Sequence, residues 1–69
     1  MLVTIQAPSP GLAARGKFEA MKFGLLCEPM ADNTLELSVA DIQKARIICD
    51  RIDGRITSIL HGRKDESVV

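Results

Sequence analysis

Six apolar residues between Ser38 and Gly62, namely Ile42, Ala45, Cys49, Ile52, Ile56 and Ile59, recur at spacings of three, four, three, four and three. That is a heptad seam, and it predicts one helical stripe that another helix must cover. Ser38 stands at an N-cap position, with Asp41 three residues on as the second half of a capping box. Leu37 and Ile42 have the spacing of a hydrophobic staple. Gly62 supplies a stop, and Arg63 and Lys64 place positive charge near the negative end of the helix dipole. The pattern therefore predicts a long amphipathic helix over 38–62, with Ile48 and Leu60 widening its stripe. Gly54 is the one local conflict, costing roughly 1 kcal/mol relative to Ala inside a helix.

Size makes that stripe matter. A chain of 69 residues buries only about 60% of the surface its unfolded form exposes. Cores of this size rarely supply more than about 3–5 kcal/mol, so a disulfide, a metal or an oligomer is commonly needed. Two cysteines, Cys27 and Cys49, are too few for a disulfide framework and match no zinc spacing, so a free thiol in a reducing compartment is expected. Oligomerisation remains, and a homodimer through Ile42, Ala45, Cys49, Ile52, Ile56 and Ile59 is the expectation.

Ahead of the long helix, the stretch from Leu2 to Ala7 alternates with the period of a short strand, Val3 and Ile5 on one side and Leu2, Thr4 and Gln6 on the other, and Pro8, Pro10 and Gly11 break it. Ser9 before Pro10 reads as an N-cap with proline in the first helical position. From Leu12 to Glu28 two periods compete. Ala14, Phe18, Met21 and Leu25 repeat as a helix does, whereas Met21, Phe23, Leu25 and Cys27 share one face of a strand. Helix is favoured by composition, and Glu28-Pro29 ends either element. The expected fold is mainly α: a single domain with an arm or strand at 1–10, a first helix at 11–28, a connection at 29–37, the long helix at 38–62 and a tail at 63–69. The alternative is α+β, with three short strands packed on the long helix.

Nine basic and nine acidic residues balance, which argues against nonspecific binding of nucleic acid or of an anionic membrane. No apolar run approaches the roughly 18 residues of a membrane span, and no basic segment precedes Leu2 as in a signal peptide, so a cytoplasmic protein is expected. His61 lacks a nucleophile at any recognisable spacing, and Gly11, Gly16 and Gly24 match no phosphate-binding loop. Cys27, Cys49 and His61 match no metal-ligand pattern. No enzyme, cofactor or metal centre is expected.

What remains is a small regulator acting by protein–protein binding, in the manner of a phage- or plasmid-type inhibitor of a host transcription factor or ATPase. Ile47 lies on the polar side of the predicted helix beside Lys44 and Arg51, and the three form a candidate contact with a larger partner. A second reading concerns DNA. The order of strand, helix and longer helix resembles ribbon-helix-helix repressors, in which two N-terminal strands pair across a dimer and enter the major groove. That resemblance implies outward roles for Thr4 and Gln6.

Overall fold

The computed structural model describes residues 1–60. The elements run β1 (Leu2–Gln6), α1 (Pro10–Lys22), β2 (Leu26–Met30), β3 (Thr34–Ser38), α2 (Ile42–Arg51) and β4 (Arg55–Leu60). The four strands form one antiparallel sheet in the order β2-β3-β1-β4. This is the β-α-β-β-α-β order of the ferredoxin-like, split β-α-β arrangement. α1 packs on β2 and β3, and α2 on β1 and β4.

The fold is therefore α+β, not a mainly α helical hairpin and not three strands on a long helix. The expected first helix at 11–28 ends at Lys22 and gives way to β2, and the expected connection at 29–37 holds the β2–β3 hairpin. The expected helix at 38–62 begins only at Ile42 and ends at Arg51. The tail at 63–69, and the roles given to His61, Gly62, Arg63 and Lys64, lie outside the described residues.

Local chemistry accounts for each boundary. Ser9 caps α1, its hydroxyl accepting from Leu12 N–H at 3.2 Å. The cap of α2 is Asp41, not Ser38, and its carboxylate accepts from Gln43 N–H at 2.9 Å. Both helices close in the same way. Leu25 N–H donates to Ala20 O and Gly24 N–H to Met21 O, with Gly24 at φ +73°. Gly54 N–H donates to Cys49 O and Asp53 N–H to Asp50 O, with Asp53 at φ +52°. These paired bonds are the Schellman closure, with Asp53 in the left-handed position that glycine ordinarily fills. The hairpin turns on Asp32 and Asn33, both at positive φ, with Thr34 N–H donating to Ala31 O at 3.2 Å.

The core lies between the helices and one face of the sheet. Val3, Ile5, Leu35 and Leu37 point into it from the two central strands, and Ala20, Ala45, Ile48 and Ile52 close it from above. Each fully buried large aliphatic contributes roughly 1.5–3 kcal/mol. The predicted seam is thus largely consumed within the chain. Ala45 and Ile52 are buried, Ile42 and Cys49 pack against them half-buried, and Ile48 is central where a flank was expected. Ile56 and Ile59 belong to β4, opposite Ile5 and Val3.

α1 contradicts its expected stripe. Phe18 and Met21 face solvent, and the buried residues are Gly16, Glu19 and Ala20. The helix lies so close to the sheet that a Cβ on Gly16 would stand 2.5 Å from Leu35 Cδ1. Leu35 from the sheet and Ile52 from the end of α2 fill the space, so the helix supplies small residues there.

Candidate interaction surface

Helices cover only one face of the sheet, so alternate residues of every strand form a second face open to solvent. Cross-strand register sorts this face into three rows. Leu26, Ser38, Leu2 and Leu60 form the first, Glu28, Glu36, Thr4 and Ser58 the second, and Met30, Thr34, Gln6 and Arg55 the third. A β-bulge at Thr57 restores the register between the second and third rows on β4, and the Thr57 hydroxyl donates to Thr4 O at 3.4 Å.

The first row sets three leucines around Ser38, and among the described residues nothing covers it. Leu26 is 78% exposed, Leu60 53% and Leu2 36%. A shallow cleft of about 360 Å³ runs along it, bounded by Leu2, Leu26, Ser38, Glu28 and Glu36. In the second row Glu28 and Glu36 stand directly opposite one another. Like charges at such a pair destabilise a sheet, and neither carboxylate has a salt-bridge partner among the described residues. Arg55 is the cation of this face, at the far end of the third row.

On the helical side one cluster of charged groups is engaged within the chain. Glu19, 2% exposed, is enclosed by three cations. Arg51 Nη1 donates to its Oε1 at 2.8 Å, Arg15 Nε donates to Oε2 at 3.4 Å, and Lys22 Nζ lies 3.9 Å away. Burial pushes the Glu19 carboxyl up, but the hydrogen bond from Arg51, the charge of Lys22 and the hydrogen bond from Arg15 outweigh it and hold the group below its ordinary value. Of the predicted contact set, Arg51 is therefore tied to α1, while Ile47 and Lys44 remain outward on α2. Lys22 also lies over the exposed ring of Phe18, 5.1 Å from its centroid.

Thr4 and Gln6 do face away from the helices, but their strand is central. β1 is paired on both edges within its own chain, with β3 and with β4. It has no free edge with which to build an intermolecular ribbon, and in the open face Thr4 has Glu36 beside it while Gln6 has the lone cation Arg55. Cys27 and Cys49 are free and half-buried. Burial raises both thiols, opposed at Cys27 by Lys17 and reinforced at Cys49 by Asp50. Among the described residues no three His, Cys, Asp or Glu side chains are grouped to hold a metal ion, and no helix is long and apolar enough to cross a membrane.

Helical periodicity does not single out Leu26, Glu28, Glu36, Arg55 or Leu60 as surface residues of one site. The available signal is the hairpin pattern, with Leu26, Glu28 and Met30 alternating on one side of Asp32-Asn33 and Thr34, Glu36 and Ser38 on the other. No family model matches this chain, and no curated protein or solved structure matches it either.

Proposed function

We propose that this chain is a small non-enzymatic regulatory protein that works by protein–protein binding, and that the open face of its sheet is the surface it binds with. The observation that carries this reading is the solvent-facing row of Leu26, Leu2 and Leu60. A two-layer domain of this size has little apolar area to spare from its core, and an uncovered apolar row rimmed by polar side chains marks a contact site. Thr4, Ser38, Ser58, Glu28, Glu36 and Arg55 form the polar surroundings that give such a surface register and selectivity. The fold itself implies no activity.

The test is site-specific photocrosslinking in the cells that make the protein. A photoreactive residue replaces Leu26 in one variant and Gln43, exposed on α2, in another. Adducts with protein from position 26 and none from position 43 support the reading. Adducts only from position 43, or from neither position, overturn it.

A further inference from the structure

We infer that the occupant of the open sheet face is a second copy of this chain, related by a two-fold axis that runs along the strands between β3 and β1. This rests on the reading of that face as a contact surface and names what covers it. Such an axis reverses the strand order while keeping each row opposite itself. β2 then lies over β4 of the partner subunit, and β3 over the partner's β1, with the two sheets aligned face to face as in a sandwich.

The residues match under this operation without rearrangement. Leu26 meets the partner's Leu60, and Leu2 meets the partner's Ser38, so the apolar rows cover one another twice over. Met30 meets the aliphatic stem of the partner's Arg55. The guanidinium of that arginine then lies one row, about 7 Å of strand, from Glu28. Glu36 meets the hydroxyl of the partner's Thr4, and Glu28 that of the partner's Ser58. The opposed Glu28–Glu36 pair, unfavourable within one copy, thus gains a cation and two donors from the other.

Among the described residues the two carboxylates of this face, Glu28 and Glu36, outnumber its one cation, Arg55, so it offers no comparable fit to a polyanion. By strand spacing and rise the face measures roughly 19 Å by 17 Å, a footprint of about 320 Å² per copy, which places the contact below standard-size interfaces and among weak, transient ones. The assembly is therefore expected to dissociate within an accessible concentration range.

The decisive experiment is sedimentation equilibrium of the full chain over a dilution series from millimolar to sub-micromolar, with Leu26→Lys, Leu60→Glu and an equimolar mixture of the two. The wild type is expected to move from twice the 7.5 kDa chain mass to the chain mass on dilution. Each variant alone is expected to stay monomeric. In the mixture, the introduced ammonium at position 26 of one copy faces the introduced carboxylate at position 60 of the other while the remaining Leu–Leu contact is intact, so association returns. Circular dichroism identical to wild type excludes misfolding as the cause, since position 26 is largely exposed. A wild type that is monomeric at millimolar concentration, a dimer that survives Leu26→Lys, or a mixture that fails to associate overturns the two-fold arrangement. Crosslinks from position 26 to a different protein, found with a monomeric wild type, overturn the dimer alone and leave the binding function standing.

Discussion

Replacing Gly54 by alanine separates this fold from a continuous long helix by the sign of the effect. In a helix interior the change would stabilise by roughly 1 kcal/mol, because alanine is the better helix former. In the present fold Gly54 is not helical. It follows the left-handed Asp53 and leads into β4 against the end of β1. A Cβ there would stand 2.8 Å from Ile5 Cγ2 and 2.9 Å from the carbonyl oxygen of Gln6. The Ile5 methyl is fully buried between the helices and the sheet, and the Gln6 carbonyl belongs to a strand paired on both sides, so neither retreats freely. Overpacking of this kind costs about 1–3 kcal/mol. For a domain of this size that lowers the melting temperature by roughly 5–20 °C. Thermal and urea unfolding followed by circular dichroism measure it directly. A rise in melting temperature for Gly54→Ala would refute the close approach of β4 to β1 at this position.

Two further substitutions probe the core and its electrostatics. Ile48→Ala is expected to cost about 2–5 kcal/mol, close to the whole stability of a domain this small, while Ile47→Ala, one residue away on the exposed face, changes stability by no more than about 0.5 kcal/mol. Urea midpoints of the two variants that coincide would show that the helix is rotated from the orientation described. Glu19, whose folded pKa lies below the reference value of 4.5, binds fewer protons in the folded than in the unfolded state. Its contribution is therefore fully present above pH 4.5 and fades as pH falls through the folded pKa, and Glu19→Gln removes that part of the acid dependence. Melting curves of the two proteins that shift in parallel between about pH 6 and pH 3 would exclude it.

The sequence is most legible where one short-range rule acts alone. Val3 and Ile5 alternate with Thr4 and Gln6, and a strand forms there; Ser9-Pro10 starts a helix as the pair ordinarily does. It misleads where two elements together imitate one. The heptad spacing continues through Ile52, Ile56 and Ile59 although the helix stops at Arg51. Ile56 and Ile59 are three apart and would point to opposite sides of a regular strand. The bulge at Thr57 puts both on the helix side of the sheet, Ile56 packed on the core and Ile59 exposed beside it, which reproduces the helical spacing by coincidence. Asp53-Gly54 is the signal of the break, because it is a turn-forming pair as well as a charged residue beside a glycine that a helix could tolerate. The α1 stripe fails for a different reason. Spacing alone does not reveal that a helix lies so near a sheet that only Gly16 and Ala20 fit, nor that a buried glutamate there will be met by Arg51 from another helix. The proposed interaction surface is hidden because its leucines come from three separate strands, and only the sheet register brings them into one row.

That register also ties the proposed assembly to stability. A single copy is two layers deep, with its core on one side of the sheet and a row of leucines on the other, so folding alone leaves apolar area in water. The two-fold contact adds a second sheet and a second pair of helices, and it lowers the free energy of the folded state only when two copies meet. Mass action then makes the melting temperature rise with protein concentration, because the folded dimer is linked to two unfolded chains. Leu26→Lys removes the contact and leaves the core between sheet and helices untouched. Its melting temperature is expected to be independent of concentration and to converge with that of the wild type on dilution. Differential scanning calorimetry over a roughly hundredfold range of concentration makes the comparison, and a wild-type transition that does not move across that range would sever the link between the open face and the fold.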